Sequence, residues 1–232
     1  MKIFEYEGIL LRKESTDIDI YKGVKAYTKK LTKKDFDNKV VLDLGGCFGA
    51  FSFLSLKNNA KLAIIVEPRD DNVWLMKKNF ETFKKHRFKI YQSAVISGNR
   101  SKIPIYINEL SKSYGSASVI KKAKRKIKIV DTVNFKELLH KYNPNILKID
   151  IEGAEFALMK ECKLPKSVNI FIIEMHFNFR RKKLVKKIKD FRIQSGNIAK
   201  QFSSWECLKY PNQAGDINMK QRNITGIWRK IK

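Results

Sequence analysis

The segment Val40–Gly49 constrains the fold of this chain most, because an apolar run meets an acid and then three glycines within ten residues. Its sequence is VVLDLGGCFG, with Asp43 two residues before the first glycine. Gly45, Gly46 and Gly49 let the backbone turn sharply and approach a ligand that any Cβ would hold off. The pattern predicts a strand that feeds a ligand-binding loop, although the glycines would also suit a plain tight turn between a strand and a helix.

A second acid, Glu67, ends the next apolar run at residues 62–66. It follows Asp43 by 24 residues, which fits one strand–helix–strand unit, and an acid at this strand tip can accept both hydroxyls of a ribose. The glycine spacing matches neither the dinucleotide fingerprint G-x-G-x-x-G nor a phosphate-binding P-loop. What remains, D-x-G-x-x-x-G, favours a nucleoside-type ligand without phosphates. S-adenosylmethionine is the cofactor that we predict.

A further group of acids follows an apolar run at residues 145–149. Asp150 and Glu152 come directly after this run, and in a parallel sheet they would reach the same crevice as the first motif. Glu155 falls in the first turn of the next helix, where the helix dipole stabilises a carboxylate, so a structural role is favoured for it. A carboxylate at a buried strand end needs partners, which makes Asp150 the stronger functional candidate.

The next apolar run, residues 168–173, leads into Glu174 and His176. An extended strand points both side chains to one face, and its tip should open beside Asp150. We therefore predict Asp150, Glu174 and His176 as catalytic residues, one of which removes the proton of a hydroxyl acceptor. Together with Glu152 they could also hold a divalent metal, an alternative that we leave open and do not favour.

Strands that alternate with helices predict an α/β fold, with a Rossmann-like, seven-stranded, mostly parallel sheet and helices on both faces. Residues 1–38 would form an N-terminal extension or lid, strand-rich or irregular, and residues 39–232 the main domain. The predicted strands lie at 39–44, 61–66, 87–95, 103–107, 126–130, 145–149, 168–173, 191–194 and 225–228. The predicted helices lie at 49–58, 71–84 and 134–142, with one more after Glu155.

Length and composition limit the number of domains and the class of protein. The 232 residues suffice for one domain with a substantial core, and no apolar stretch approaches the length of a membrane span. The three cysteines have no metal-binding spacing, and we expect a soluble, cytoplasmic protein.

With 49 Lys and Arg against 23 Asp and Glu, the formal net charge is +26. Such a surface attracts polyanions, although a lysine-rich codon bias could produce part of it. The densest basic runs span residues 121–128 and 180–189.

The chain resembles the FkbM family of class I, S-adenosylmethionine-dependent methyltransferases. The resemblance rests on VLDLGGCFG at 41–49, Glu67-Pro68 with Asn72 and Asn79, LKIDIEGAE at 147–155, and Ile173-Glu174. It implies that Asp43, Gly45 and Gly49 line the methionine end of the cofactor, that Glu67 binds the ribose, that Gln92, Ser93 and Ala94 border the adenine, and that Asp150 faces the methyl group. One departure is Cys47, where the family usually has Asn.

The resemblance implies an O-methyltransferase that acts on a sugar, a glycan or another small hydroxylated metabolite. The alternative among enzymes is an RNA methyltransferase acting on a cap or a ribose 2′-hydroxyl, which the charge of +26 favours. A non-catalytic polyanion-binding module is a further alternative, against which the intact acids at 43, 67 and 150 speak. Methylation of base amines or of cytosine C5 is disfavoured, because the predicted strand at 145–149 is not followed by a [DN]-P-P-[YF] turn and the chain has no Pro-Cys pair.

Overall fold

The structure, a computed structural model, describes residues 1–108, 117–118, 126–161, 164–176, 205–209 and 223–230. The strands are, in chain order, β1 (Ile3–Tyr6), β2 (Ile9–Arg12), β3 (Val40–Leu44), β4 (Leu62–Val66), β5 (Phe88–Tyr91), β6 (Ala94–Ile96), β7 (Lys102–Ile107), β8 (Ala117–Ser118), β9 (Lys126–Asn134), β10 (Ile146–Ile149), β11 (Ile170–His176), β12 (Trp205–Lys209) and β13 (Asn223–Lys230). The helices are α1 (Asp17–Thr28), α2 (Lys33–Phe36), α3 (Ala50–Lys57), α4 (Asp70–Asn79), α5 (Phe135–Tyr142) and α6 (Glu155–Glu161).

A seven-stranded sheet, in the order β12-β13-β11-β10-β3-β4-β5, forms the centre of the fold. The five strands from β11 to β5 pair parallel to one another, and β13 pairs antiparallel with both β11 and β12. The chain proceeds outward from β3 to β4 and β5, and later returns to the other side of β3 with β10. The strand order therefore reverses at β3, where parallel sheets open a crevice for ligands. The predicted α/β fold with a mostly parallel sheet is confirmed.

Successive side chains of a strand point to opposite faces of the sheet, so the hydrophobic core forms two layers, one on each face. On β3, Val41 belongs to one layer, while Leu42 and Leu44 belong to the other. The Val41 layer contains buried side chains of α1, α3 and α4, and the Leu42 layer contains those of α5 and α6. Helices thus cover both faces of the central sheet, as predicted.

A smaller sheet, in the order β6-β9-β7-β8, corrects two of our strand predictions. The prediction of one strand at 87–95 is wrong, because the chain bends at Ser93 and forms two strands, β5 and β6. β5 therefore stays in the central sheet, while β6 pairs with β9 in the smaller one. The strand predicted at 126–130 continues to Asn134 and pairs antiparallel with β7.

The N-terminal residues differ from the strand-rich or irregular segment that we predicted, because α1 is a helix of 12 residues. Asp17 and Asp19 lie in its first turn and Lys25 in its last, an order of charges that favours a helix. A buried ion pair ties the start of α1 to β2, with Arg12 Nε 2.7 Å from Asp17 Oδ2. Since α1 also packs against α3, this segment is part of the core of the fold.

Three predicted segments lie wholly or mostly outside the residues that the structure describes, and one further segment differs from its prediction. The strand near 191–194, the basic run at 180–189 and most of the run at 121–128 lie outside the described residues. Trp205–Lys209, where we expected only an aromatic segment, forms an edge strand of the central sheet. Among the described residues, no helix combines the length and the apolar content that crossing a membrane requires.

Gly46→Ala tests how tightly the loop after β3 packs. A Cβ at this position would lie 2.1 Å from Cγ2 of Ile65, a buried side chain of β4. We expect the free energy of unfolding to fall by about 1–3 kcal/mol, because Ile65 or the loop must shift. Denaturant unfolding followed by circular dichroism measures the change. Gly98→Ala is the control, since nothing lies within 4 Å of an added Cβ there. Equal stability of the two variants would contradict the packing.

Candidate functional site

A cavity of about 450 Å³ opens where the carboxyl ends of β3, β4 and β10 meet the last residues of β11. Residues of α1 form part of its wall. Ligand pockets of proteins commonly have volumes of about 300–1,000 Å³, so the cavity has room for a small-molecule ligand. Its position at the reversal of strand order is the one at which parallel sheets bind ligands.

Most of the residues that we predicted for the site line this cavity. They are Gly45, Glu67, Ser93, Ala94, Asp150, Glu174 and His176. Three predicted site residues, Asp43, Gly46 and Gly49, do not belong to the described residues that line the cavity. Asp43 is fully buried beneath the wall, and both glycines face the core. The structure thus brings the two acidic motifs together, but it places the first acid behind the cavity.

The glycines after β3 allow three close approaches. Gly45 has φ +80°, and a Cβ there would lie 1.7 Å from the backbone oxygen of Asp150. Gly49 has φ +90°, and its Cβ would lie 2.9 Å from Cγ of Met76. With the contact between Gly46 and β4, these positions let the loop sit against the end of β10 and against α4 at once.

Cys47 lies in the same loop and lines the cavity. Its φ of +50° is left-handed, a conformation that Asn, the usual residue of the family at this place, adopts more readily than other side chains. The backbone N–H of Cys47 donates a hydrogen bond of 2.9 Å to Glu67 Oε2. Burial raises the pKa of the Cys47 thiol, so the side chain is an uncharged part of the wall.

The ammonium of Lys148 compensates the negative charge of the buried Asp43. The parallel register places Lys148 beside Asp43, and Nζ lies 3.1 Å from Asp43 Oδ1 and 3.5 Å from Asp150 Oδ2. Nζ also donates a hydrogen bond of 3.1 Å to the carbonyl of Gly45, while Ser52 Oγ donates one of 2.8 Å to Asp43. Burial alone would lower the pKa of Lys148, but the charges of the two aspartates raise it well above its usual value. The ammonium therefore stays charged and joins the tips of β3 and β10.

Glu67 lies in the wall where β4 ends. Oε2 accepts the N–H of Cys47, and Oε1 accepts the N–H of Arg69 at 3.0 Å and Nδ2 of Asn72 at 3.2 Å. Only 5% of the residue is exposed. Burial raises the pKa of Glu67 to about 7, and these hydrogen bonds keep it from rising further. Its charge state therefore changes near neutral pH.

His176 is surrounded by carboxylates on the β11 side of the cavity. Nδ1 lies 2.9 Å from Oε1 of the fully buried Glu155. Nε2 lies 3.6 Å from Glu174 Oε1, 3.7 Å from Glu152 Oε1 and 4.0 Å from Asp150 Oδ1. Burial alone would lower the pKa of His176, but the hydrogen bond to Glu155 and the charges of Glu152 and Asp150 raise it to about 10. The predicted catalytic residues are thus one connected group.

Tyr27 and the pairing of Lys148 are the parts of the site that the sequence analysis missed. Residues 20, 23, 24 and 27 of α1 line the cavity, and this spacing marks one face of a helix. Burial raises the pKa of Tyr27, so its hydroxyl stays protonated. That hydroxyl is buried and has no hydrogen-bond partner among the described residues. The helical spacing was visible in the sequence, but it had no meaning before a helix was expected there.

Lys148→Met tests the buried ion pair. The substitution leaves the carboxylate of Asp43, which is 0% exposed, without its cation. We expect the free energy of unfolding to fall by about 3–5 kcal/mol, the cost of breaking one side of a buried pair. Lys102→Met is the matched control, because the Lys102 side chain is 66% exposed and lies 3.9 Å from Asp131. A loss no larger for Lys148→Met than for the control, measured by denaturant unfolding, would refute the pairing.

Comparisons with known proteins agree with the sequence motifs. A family model described as the methyltransferase FkbM domain matches residues 43–205, more than half of the chain. A search of curated proteins finds no significant match. A solved candidate RNA methyltransferase from Pyrococcus horikoshii is 14% identical, with 94% of this chain and 86% of that chain covered and a TM-score of 0.46. A methyltransferase FkbM from Methylobacillus flagellatus is 13% identical over 83% of this chain and 44% of that chain, with a TM-score of 0.44. At such scores, neither structure carries an argument about the substrate.

The family match includes the glycine loop, both acidic motifs and β11, and hence the residues that line the cavity from the sheet. The chain belongs to the FkbM methyltransferase domain family and is an S-adenosylmethionine-dependent methyltransferase.

Proposed function

We propose that this methyltransferase acts on a hydroxyl oxygen of a sugar, a glycan or another small hydroxylated metabolite. The observation that carries the proposal is the group Asp150, Glu174 and His176, which lies in the same cavity as Gly45 and Glu67. A hydroxyl acceptor must lose its proton during methyl transfer, and this group offers proton acceptors beside the cofactor loop. The resemblance to the FkbM family supports the same choice.

In this proposal the cofactor lies along the sheet edge of the cavity. Glu67 accepts the ribose hydroxyls, Ser93 and Ala94 border the adenine, and Gly45 and Asp150 flank the methionine and methyl end. The pocket wall supports this arrangement, since these five residues line one continuous cavity of about 450 Å³. The loss of a proton from Glu67 supplies the negative charge that strengthens hydrogen bonds from hydroxyls.

The chemistry is an in-line displacement. The acceptor oxygen forms a bond to the methyl carbon, the carbon–sulfur bond breaks with its electron pair on sulfur, and the hydroxyl proton passes to the enzyme. Holding the two reactants in line can contribute about 7–11 kcal/mol to lowering the barrier. A carboxylate of this group, Asp150 or Glu174, would act as the general base and add about 10²–10⁴-fold to the rate, because the raised pKa of His176 keeps its imidazole protonated.

RNA is the second candidate acceptor, and the net charge of +26 is the observation that favours it. A protein that neutralises many phosphates releases counterions, and its affinity then falls steeply with salt. Carboxylates line the β11 side of the cavity, however, and they would repel a phosphate backbone that entered it. A sugar or metabolite without charge avoids this repulsion, which is why we place it first.

Glu67→Gln tests how the cofactor is held. We expect the variant to bind S-adenosylmethionine about 10–100-fold more weakly by calorimetry, because hydrogen bonds to a charged acceptor contribute about 1.5–3 kcal/mol. Because the pKa of Glu67 is about 7, wild-type affinity should be about tenfold higher at pH 8 than at pH 6, since the competent carboxylate is mostly protonated at the lower pH. The variant should lose this pH dependence. Glu81→Gln, with the Glu81 side chain 71% exposed, is the control. Wild-type affinity in Glu67→Gln at both pH values would exclude this role.

The acceptor is tested with cofactor labelled in its methyl group. Sugars, glycans and capped or uncapped RNA are offered in parallel, at about 50 and 200 mM salt. We expect label in a carbohydrate hydroxyl and little effect of salt, whereas an RNA acceptor held by 6–10 phosphate contacts would lose about 10³–10⁵-fold in affinity over this range. Transfer to RNA with that salt dependence would establish the second candidate. Cofactor binding without transfer to any hydroxyl would contradict the O-methyltransferase.

A further inference from the structure

We propose that the β11 side of the cavity binds a divalent metal ion, with Asp150, Glu174 and Nε2 of His176 as its protein ligands. One ligand atom from each of these residues lies within 4.8 Å of the other two. Carboxylate oxygen and imidazole nitrogen are established metal ligands, and the three residues come from the ends of two adjacent parallel strands. Binding of the ion does not depend on the proposed acceptor, whereas its role in catalysis rests on the proposed function.

The distances around Nε2 suit a shared ion better than hydrogen bonds. Nε2 lies 3.6 Å from Glu174, 3.7 Å from Glu152 and 4.0 Å from Asp150. All three separations exceed the usual hydrogen-bond length of about 3.2 Å or less. Two ligands that each bind one ion at about 2.1 Å can be separated by up to about 4.2 Å. The distances from Nε2 to the two ligand carboxylates, 3.6 Å to Glu174 and 4.0 Å to Asp150, fall within this span.

Glu155 orients the imidazole for this role. Its Oε1 lies 2.9 Å from His176 Nδ1 and also accepts the N–H groups of Ile151 at 3.1 Å and Gly153 at 3.0 Å. Glu155 is 0% exposed, so this carboxylate is fixed in place. Metal-binding histidines usually donate their second ring N–H to such a carboxylate, which sets the tautomer and aims the other nitrogen at the metal. Nε2 is accordingly the nitrogen that faces Asp150 and Glu174.

The Tyr27 hydroxyl is an independent sign of a ligand in this part of the cavity. Tyr27 is 9% exposed, lines the cavity and interacts electrostatically with Asp150 and Glu174. The hydroxyl has no hydrogen-bond partner among the described residues. A buried donor of this kind calls for a bound molecule or ion that completes its hydrogen bonding. An oxygen coordinated to the metal, from water or from the acceptor, would accept a hydrogen bond from this hydroxyl.

Charge gives a further reason. Asp150, Glu152, Glu155 and Glu174 gather around one histidine in a chain whose formal net charge is +26. The ammonium of Lys148 reaches Asp150 but is shared with Asp43. Such a concentration of carboxylates costs free energy unless a cation compensates it. The raised pKa of His176 leaves its imidazole with one positive charge. A divalent ion that takes the place of the Nε2 proton would supply two positive charges at the same point.

The ligand set indicates which ion and which chemistry. Two carboxylates and one imidazole suit Mn²⁺ and related divalent ions, and they leave positions open for the acceptor. A hydroxyl bound to the metal loses its proton more easily, because the cation stabilises the alkoxide. The proton passes to a carboxylate or to water, the alkoxide oxygen bonds to the methyl carbon, and the carbon–sulfur bond breaks with its electron pair on sulfur.

Mn²⁺ binding to the full chain tests the site. Protein treated with a chelator and dialysed is titrated with MnCl₂, and free Mn²⁺ is followed by its electron paramagnetic resonance signal. We expect one saturable site in the wild type and at least about tenfold weaker binding in Glu174→Gln and His176→Ala. Asp131→Asn is the matched control, because the Asp131 side chain is 69% exposed and outside the cavity. The strongly positive surface keeps non-specific Mn²⁺ binding low, which makes a single site easy to detect.

The outcomes separate the metal from the proposed function. Circular dichroism and cofactor calorimetry test whether Glu174→Gln is folded and still binds S-adenosylmethionine. We expect both, because the Glu174 side chain is 23% exposed in the wild type. No saturable Mn²⁺ binding, or equal binding in the wild type and both site variants, overturns the metal proposal. Methyl transfer to a hydroxyl that persists unchanged in excess chelator overturns its catalytic role and leaves the proposed function standing. Mn²⁺ binding without any transfer to hydroxyls supports the site and refutes the O-methyltransferase instead.

Discussion

The buried ammonium of Lys148 is the contact on which the arrangement of the site depends. It lies 3.1 Å from Asp43, 3.5 Å from Asp150 and 3.1 Å from the carbonyl of Gly45. A lysine that is 5% exposed is costly to bury without partners, and here two carboxylates and a carbonyl surround it. Moving the tip of β10 relative to β3 would separate these charges in a low-dielectric interior. The glycine loop after β3 and the acidic group at the end of β10 are therefore held in one fixed relation.

The N-terminal segment is a second constraint, because α1 forms part of the wall of the cavity. α1 contributes Gly23, Val24 and Tyr27 to the wall. Its first residue, Asp17, accepts three hydrogen bonds from Arg12, of 2.7 and 3.0 Å from the guanidinium and of 3.0 Å from the backbone N–H. This pair is buried among core side chains, so α1 is anchored at one end by charge and along one face by packing. This anchoring fixes the residues that α1 contributes to the wall.

The sequence was sufficient to predict the α/β fold and the meeting of the two acidic motifs, but not how each acid points. Glu67 and Asp150 each follow the last residue of a strand, so their side chains reach the cavity. Asp43 is the fourth of five residues in β3 and stays between paired neighbours. Glu174 reaches the cavity because β13 supports β11 beyond the end of β10. Where a strand stops being paired depends on partners that are distant in sequence, and local patterns cannot supply this information. The same limit explains why the bend at Ser93, which moves β6 into another sheet, was missed.

The chain has a positive net charge, whereas the lining of its cavity is rich in carboxylates. This contrast affects which acceptor molecule can enter the cavity. A net charge of +26 draws anions toward the surface, while Asp150, Glu152 and Glu174 line the cavity with negative charge. Long-range attraction is screened within about 8 Å at physiological salt, so the local carboxylates decide what enters. They favour cations such as the sulfonium of the cofactor or a divalent metal ion, and where no metal ion compensates them they oppose a phosphate at the point of methyl transfer. A polyanion can therefore be attracted to the outside of this protein, whereas the acceptor that we propose presents its hydroxyl on an uncharged part.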